Sequence, residues 1–211
     1  MAPSRRFENL PKEKQKAILD AAAAEFATQG FERASINQIV AAAELSKGSL
    51  YYYFEGKDDL YGAVMDDVMD RVEEVLRDIP TPTDRAGYWA MIREGMDRME
   101  RAFLHDEQLW KLGRGLYQRG DGDIAYQRLI ARARAWVRKL LELGQHTGAV
   151  RDDVPITLLA DTVTGMLLAM DRWFVMAMGE RTRTELMALM PKTIDLVREF
   201  LAPKPEPEEE P

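Results

Sequence analysis

The sequence predicts an all-α protein, with an N-terminal three-helix unit of the helix-turn-helix type followed by a larger helical domain. Apolar residues recur at helical spacing along most of the 211 residues, and no stretch shows sustained alternation bounded by hairpin turns. Two short predicted helices are joined by only Ala43-Glu44-Leu45, a turn length typical of a helix-turn-helix. With 46% hydrophobic residues, the chain is able to bury a core of its own.

The first predicted helix extends from Lys12 to Gln29, and Gly30 is expected to end it. Phe31 is then expected to pack back against this helix, because an apolar ring follows its end directly. The predicted inner stripe consists of Ile18, Leu19, Ala22, Ala23 and Phe26.

The second and third predicted helices are short. The second begins at Ser35, and Gln38 stands three residues later, which is the spacing of a capping box. The third begins with Ser46 as its N-cap and ends near Phe54, because Glu55-Gly56 interrupts the run before a longer helix opens at Lys57.

Helices are also predicted after the connector Pro80 to Thr83. They lie at about 84–104, 106–118, 123–144, 155–179 and 182–201. The ending APKPEPEEEP has nothing to bury, so a disordered acidic tail is expected over 203–211. The predicted domains are therefore 1–56, 57–202 and this tail.

The composition excludes several classes of protein. Zero cysteines exclude a disulfide framework and thiolate metal sites, and fit a reducing cytoplasm. His105 and His146 are isolated, and Asp121-Gly122-Asp123 lacks the further oxygen ligands of a metal loop. We therefore expect no enzyme activity, no catalytic or metal-binding residues and no cofactor.

The N-terminus and the most apolar window bear on location. No apolar segment follows Arg5 and Arg6, so no secretory signal is predicted. Asp161, Asp171 and Arg172 interrupt the apolar window 156–179, which argues against a membrane span. A cytoplasmic protein with no membrane partner is the expectation.

The net charge of −7 argues, taken alone, against a polyanionic partner. Through Lys57, however, eight basic residues face seven acidic ones, which leaves +1 there and −8 for the rest of the chain. Any nucleic-acid contact is therefore expected in the N-terminal quarter.

The run Tyr51-Tyr52-Tyr53-Phe54 places four aromatic rings in succession on one short helix. Successive side chains on a helix are rotated by about 100°, so the rings cannot all face inward. Leu50 and Phe54 predict the inner face, which leaves at least two tyrosines at the rim or in solvent. A single such tyrosine is typically the cap of a small core, but the set follows Ser46-Lys47-Gly48-Ser49 directly and indicates the leading end of a recognition helix.

These residues resemble the TetR family of transcriptional repressors. The resemblance is carried by Ser35 to Val40, by Leu45 to Phe54 and by Lys57-Asp58-Asp59-Leu60, within roughly residues 12 to 62. The family's usual turn glycine is replaced by Glu44, which is expected to take a positive φ. The resemblance implies a DNA-binding repressor that acts as a homodimer on a palindromic operator, with a ligand-binding and dimerisation domain behind the DNA-binding domain.

The resemblance also implies two kinds of contact with double-stranded DNA. Asn37, Lys47, Gly48 and Tyr51 approach the bases. The residues nearer the phosphates are Ser35, Ser49, Tyr52, Tyr53 and Lys57. Arg5 and Arg6 are expected on a flexible arm that either reaches a neighbouring groove or the backbone, or is simply a solvated terminus.

The helix predicted at 155–179 is apolar on two faces, and both faces require a cover. The small residues Gly165 and Ala169 suit the close approach of a partner helix. Together with the resemblance, this predicts a homodimer interface on the last two helices. Its predicted residues are Leu158, Thr162, Gly165, Ala169, Trp173, Leu186, Leu189 and Val197.

Methionine and aromatic residues are dense between the two ends of the chain. They either fill the core or line a deformable apolar pocket for a small hydrophobic or aromatic effector. The candidate pocket residues are Trp89, Ile92, Met96, Met99, Phe103, Trp110, Tyr117, Trp136, Met166, Met170 and Phe174. The polar residues near them, Asp161, Asp171, Arg172 and His105, lie either at a surface or subunit seam or against the ligand.

A second functional hypothesis is a helical protein-binding adaptor that keeps the helix-turn-helix shape without binding DNA. Tyr51 to Tyr53 are then a docking patch for another protein, and the near-neutral charge of the N-terminal quarter favours this alternative. The two hypotheses differ in the salt dependence of binding, because only phosphate contacts release counterions.

Overall fold

The computed structural model describes residues 5–103 and 105–203, and the regular structure of these residues is helical, which confirms the predicted all-α class. In chain order the elements are α1 (Arg5–Glu8), α2 (Lys12–Arg33), α3 (Ile36–Ala42), α4 (Lys47–Tyr53), α5 (Lys57–Leu76), α6 (Arg85–Phe103), α7 (Glu107–Arg119), a 3-10 turn (Gly120–Gly122), α8 (Ile124–His146), α9 (Ile156–Ala177) and α10 (Arg183–Leu201). Apart from Pro203, the predicted acidic tail lies outside the described residues.

The helices form two compact units. The first unit runs through Arg77 and also includes Met99–Leu129. The second unit comprises Asp78–Arg98 and continues from Ile130. The domain boundaries predicted at 56/57 and 202/203 separate segments by function, and the division into two units does not test them, so they stay predictions. None of the helices among the described residues is both long and apolar enough to cross a lipid bilayer.

In the first unit, α2 packs against α3, α5 and α7 and buries the stripe that the sequence predicts. The φ of Gly30 is 73°, a value that favours glycine, and it interrupts the helical backbone at the predicted position. Phe31 then turns back, and its ring stacks on that of Phe26 with 5.9 Å between centroids. The buried stripe consists of Ile18, Leu19, Ala22, Ala23 and Phe26.

The turn between α3 and α4 has the predicted strained residue. Glu44 has a φ of 53°, in the left-handed region that glycine normally occupies. The N–H of Leu45 donates to the carbonyl of Val40 at 2.8 Å and closes the turn. Ser35 is the N-cap of α3, but its side chain makes no capping hydrogen bond, so the capping box predicted with Gln38 is not formed.

The second unit has its own core, to which α6, α8, α9 and α10 contribute. A Cβ on Gly144 would lie 2.9 Å from the Tyr88 ring and 3.0 Å from Cβ of Val150, so these groups approach α8 where only glycine fits. Burial raises the pKa of Tyr88 to about 12. The core residues are Tyr88, Trp89, Val137, Leu141, Ala149, Val150, Leu159, Ala160, Val163 and Leu201.

Candidate nucleic-acid interface

The first turn of α4 is fixed by its own serines. Ser46 is the N-cap, as the sequence predicts, and its Oγ accepts the N–H of Ser49 at 3.0 Å. The two hydroxyl oxygens of Ser46 and Ser49 are also 2.7 Å apart, within hydrogen-bond distance. These contacts stabilise the start of the helix without any partner.

The aromatic run divides between the core and the solvent as helical rotation requires. Leu50 and Phe54 are 1% and 2% exposed and face the core of the first unit. Tyr51 and Tyr52 are 50% and 55% exposed, and Tyr53 is half-buried. The prediction that at least two rings lie outside the core is confirmed.

The polar candidates on the same surface are also accessible. Asn37, Lys47 and Gly48 are exposed. Within the described residues Lys47 has no ion-pair partner, so its ammonium group is available to an anion. A Cβ on Gly48 would meet only Ser46 Oγ, at 3.8 Å, so the helix surface is low at this point and permits close approach of a partner.

Two candidates for phosphate contact are already engaged inside the protein. Lys57 is half-buried, and its Nζ donates to the carbonyls of Glu32 and Ala34 at 2.9 and 3.4 Å. The backbone N–H of Ser35 donates to Glu25 Oε1 at 2.8 Å. Both contacts fix the end of α2 relative to its neighbours, and the predicted phosphate contacts of these residues stay predictions.

Two cationic side chains, far from Phe31 in the sequence, lie close to its ring. Lys57 Nζ lies 4.8 Å and Arg119 Cζ 3.4 Å from the centroid of its ring. Arg119 also donates to Asp58 Oδ1 at 2.7 Å and to Asp123. The ends of α2 and α7 and the start of α5 are therefore joined directly behind the helix-turn-helix.

The segment in front of α2 is more ordered than the predicted flexible arm. It forms the single turn α1, in which Phe7 is buried and Arg6 is exposed. The side chain of Arg5 lies outside the described residues. Four residues are too few to show helical periodicity, so no pattern in the sequence predicts this turn.

The predicted dimer face of α9 is open to solvent in the single subunit. Leu158 and Trp173 are 56% and 45% exposed, and Gly165 and Ala169 are exposed as well. A Cβ added to Gly165 would have no neighbour within 4 Å. Thr162 is half-buried, and its hydroxyl donates to the carbonyl of Leu158 at 2.8 Å, so this polar group is satisfied within the helix.

On α10 the outward face differs from the predicted stripe. Leu186 is only 4% exposed, and Val197 packs against the core of the second unit, so both face inward. Leu189 is half-buried, and Leu196, which was not among the candidates, is 55% exposed. A spacing of seven from Leu189 to Leu196 is the signal that finds the outer face.

The candidate pocket residues divide between the two units. Met99, Phe103, Trp110 and Tyr117 belong to the first unit, and the other seven to the second. Trp89, Phe103 and Tyr117 are buried, whereas Trp136 is 41% exposed and lies at the surface. The remaining candidates are partly buried.

The second unit contains a cavity of about 320 Å³ that includes only one of these candidates. Its lining residues are Arg85, Trp89, Ala149, Asp195, Arg198, Glu199 and Ala202. Four of the seven are charged, so this cavity differs from the apolar pocket that the sequence predicts.

The polar candidates have different surroundings. Asp161 is exposed and forms an ion pair with Arg134. Arg172 is exposed, and Asp171 and His105 each interact with another group. Thr164, which was not a candidate, is 4% exposed, and its hydroxyl has no hydrogen-bond partner among the described residues. Residues 5–103 and 105–203, which the structure describes, contain no cluster of three acidic or histidine side chains able to hold a metal ion.

The chain is similar to known regulatory proteins, over its N-terminal segment in some matches and over about two thirds of its length in another. Residues 18–64 match the family model described as bacterial regulatory proteins, tetR family. A match with the A-factor receptor protein of Streptomyces griseus is 41% identical over 58 residues, and covers 28% of this chain and 21% of that protein. A longer match, 30% identical over 146 residues, is with the HTH-type transcriptional repressor DhaR of Mycobacterium sp. (strain GP1), and covers 64% of this chain and 69% of that protein.

Solved structures share the fold over nearly the whole chain. The fatty acid degradation regulator FadR from Bacillus halodurans superposes with a TM-score of 0.71 at 21% identity, covering 88% of this chain and 98% of that one. The regulator FadR from Bacillus subtilis, in complex with stearoyl-CoA, gives a TM-score of 0.64 at 19% identity, with 86% and 96% covered. At this identity the likeness concerns the fold alone.

Proposed function

Because the chain belongs to the TetR family of DNA-binding transcriptional regulators, we propose that it is a homodimeric repressor that binds a palindromic operator and is released by a small hydrophobic or aromatic effector. The proposal gives one task to each described surface. The outer face of α4 contacts DNA, the outer faces of α9 and α10 pair two subunits, and the second half of the chain receives the effector.

The observation that carries the DNA-binding part is the outward face of α4. Two tyrosine rings are about half exposed beside an accessible glycine, a pair of serine hydroxyls and a lysine that has no ion-pair partner among the described residues. Hydroxyls and lysine are donors that suit phosphate oxygens and base edges. We assign Asn37, Lys47, Gly48 and Tyr51 to the bases, and the backbone contacts to Tyr52, Tyr53 and Ser49.

The proposed dimer follows from the uncovered face of α9. Leu158 and Trp173 lie on it with small residues between them, a pattern that suits a closely packed partner helix. Two-fold symmetry then presents two recognition helices to half-sites separated by roughly 34 Å or a little more. Dimerisation is therefore part of DNA binding, because one short helix alone makes few contacts.

The effector class is proposed from partly buried methionine and aromatic side chains of the second unit, on α6 and α9: Met96, Met166, Met170 and Phe174. Such side chains repack readily around an apolar ligand. The hydroxyl of Thr164 is buried and has no hydrogen-bond partner within the residues that the structure describes, so it can orient such a ligand. A Thr164→Val variant keeps the shape of the side chain and removes this hydroxyl. It is expected to fold normally and to be released from DNA over a different range of effector concentrations.

The direct experiment is to isolate the genomic DNA fragments that the purified protein retains and to measure their release by a library of small molecules. The proposal predicts an inverted-repeat sequence common to the retained fragments, and apolar or aromatic compounds among those that release them. If the retained fragments share no common sequence, the proposed binding to a specific operator is contradicted. An increase in affinity with every active compound contradicts release as the mode of regulation.

The salt dependence of binding distinguishes the adaptor hypothesis from this proposal. Binding through phosphates weakens steeply as the salt concentration rises, whereas docking of a protein on Tyr51 and Tyr52 is much less sensitive. The exposed rings alone fit both hypotheses, but the adjacent Lys47, which pairs with no carboxylate in the described part of the chain, favours a phosphate partner.

A further inference from the structure

The segment in front of α2 is fixed against α4 by a continuous series of ring contacts. Phe7 is only 4% exposed, and its ring centroid lies 4.8 Å from that of Phe54 and 6.4 Å from that of Tyr53. Tyr53 meets Tyr52 at 5.3 Å in an edge-to-face arrangement. The series ends at Arg6, whose Cζ lies 4.5 Å from the centroid of the Tyr52 ring.

A second tie comes from the start of α2. The side-chain Nε2 of Gln15 donates to the carbonyls of Glu8 and Leu10 at 2.9 and 2.8 Å. The N–H of Leu10 also donates to the carbonyl of Phe7 at 3.0 Å. The turn after α1 is therefore closed, and Arg6 is presented from a fixed backbone instead of a loose arm.

The position of Arg6 over Tyr52 suits the binding of an anion. Both side chains are exposed, and within the described part of the chain no carboxylate pairs with Arg6. A ring beneath a guanidinium group occupies one of its faces and leaves N–H donors at its edge for oxygen acceptors. The ring also restricts the arginine before binding, which reduces the entropic cost of forming the contact.

We propose that Arg6 and Tyr52 form a preassembled pair that binds one phosphate of the DNA backbone, with Phe7 and Gln15 as positioning residues. This inference rests on the proposed function and adds to it a backbone contact supplied by the segment in front of α2. It also places that contact beside the recognition helix, not in a neighbouring groove. The shared surface consists of Arg6, Tyr52 and the exposed part of α4.

The test uses the full-length protein and a labelled duplex that the wild-type protein selects from a random-sequence pool. Binding is measured by fluorescence anisotropy over a series of NaCl concentrations. We expect Arg6→Ala to lower the affinity roughly tenfold to a hundredfold. We also expect the slope of log affinity against log salt to fall by about 0.9 for each phosphate that the variant no longer binds. Arg93→Ala, an equivalent change at an exposed position of α6, is the matched control.

The uncharged positioning residue gives the sharper result. Phe7→Ala removes no charge, yet it is expected to reduce the salt slope as much as Arg6→Ala does, because the arginine is no longer held in place. The double variant Arg6→Ala/Phe7→Ala is expected to bind no more weakly than Arg6→Ala alone. Phe7→Leu, which retains a large buried apolar side chain, is expected to retain most of the salt slope.

The aromatic partner is tested in the same way. Tyr52→Phe keeps the ring, so adding Arg6→Ala to this variant is expected to reduce the salt slope as it does in the wild-type protein. In a Tyr52→Leu variant, adding Arg6→Ala is expected to leave the salt slope unchanged. Circular dichroism and thermal melting establish that each variant is folded. If Phe7→Ala does not fold, Gln15→Met serves instead, because it removes the two hydrogen bonds to the carbonyls without opening the core.

Distinct outcomes overturn the two levels of the proposal. Wild-type binding with a steep salt slope that Arg6→Ala leaves unchanged overturns the phosphate-binding pair and leaves the proposed function intact. Affinity decreases for Phe7→Ala and Arg6→Ala that add together, with an unchanged slope for Phe7→Ala, overturn the positioning role. A wild-type protein that selects no duplex at all overturns the proposed function as well.

Discussion

Two surfaces of the protein expose large side chains to a similar extent and differ in what surrounds them. On α4, Tyr51 and Tyr52 are about half exposed and are accompanied by serine hydroxyls and Lys47. On α9, Leu158 and Trp173 are about half exposed and are accompanied by Gly165 and Ala169. The exposed apolar area is therefore not what distinguishes the two surfaces.

The polar neighbours determine which partner each surface suits. Hydroxyl and ammonium donors beside the tyrosines remain hydrogen-bonded when the surface meets phosphates and water. Gly165 and Ala169, between Leu158 and Trp173, carry no side-chain donors and suit a second helix at close distance; a cation, Arg181, lies only at the Trp173 end, with its Cζ 5.5 Å from the ring centroid. A similar exposure of large side chains thus suits DNA on one helix and, in the proposed dimer, a second subunit on the other.

The largest effect is expected from Gly165→Leu, which is directed at the α9 surface. Among the described residues, a Cβ at this position meets nothing within 4 Å, so the subunit itself should fold normally. Blocking the partner helix is expected to convert the proposed dimer to a monomer and to lower the affinity for DNA by about 10³-fold. Sedimentation velocity and DNA binding measure the two effects together.

The control for this change is Lys139→Leu, which adds the same side chain at an exposed position of α8. It is expected to leave both the assembly and the affinity unchanged. A Gly165→Leu protein that remains dimeric and binds DNA normally would show that subunits do not pair through this face.

The second effect separates the two sides of α4. Leu50 is 1% exposed, and Leu50→Ala is expected to lower the free energy of unfolding by about 2–5 kcal/mol. Tyr51→Ala, at the next residue, should change it by less than about 0.5 kcal/mol, because this ring lies half in solvent. Urea denaturation measures both values, and equal decreases would mean that Tyr51 packs in the core.

The sequence predicts these two faces of α4 because a helix of known register fixes which residues point inward. The same reasoning places the helices α6 to α10 within about two residues of their observed ends. It also predicts the positive φ of Glu44, because the chain must turn there and has no glycine to do so. Local geometry is sufficient for each of these features.

Other features depend on contacts between residues that are distant in the chain. Phe7 is buried by Phe54, 47 positions later, and a four-residue turn has no period that would indicate this. The inward orientation of Leu186 and Val197, and the exposure of Trp136, depend on which neighbours cover each helix. Apolar composition predicts that such residues are covered, but not by which element.

A third effect concerns the lysine that gives the α4 surface its positive charge. Lys47→Ala is expected to lower the affinity for the selected duplex by about tenfold and to reduce the salt slope by about 0.9 for each subunit that makes the contact. Lys47→Arg keeps the charge and should retain most of the slope. Anisotropy titrations at several salt concentrations provide both numbers, and an unchanged slope for Lys47→Ala would remove this residue from the interface.

The smallest effect is expected in the turn that orients α4. Glu44→Gly relieves the left-handed backbone and is expected to raise the free energy of unfolding by about 1 kcal/mol. Glu44→Ala removes the same charge and keeps the strain, so it should not stabilise the protein. An equal gain in the free energy of unfolding for both variants in urea denaturation would mean that the charge of Glu44, and not its backbone conformation, destabilises the wild-type protein.

The most direct measurement for the whole comparison is the salt dependence of DNA binding by the wild-type protein. If two symmetric α4 surfaces meet phosphates, the affinity for the selected duplex falls by roughly 10³-fold between about 50 and 200 mM salt. A duplex affinity that changes by less than about threefold over this range would contradict phosphate contact. The exposed tyrosines would then belong to a protein-docking surface, and the assignment of α4 to DNA would be wrong.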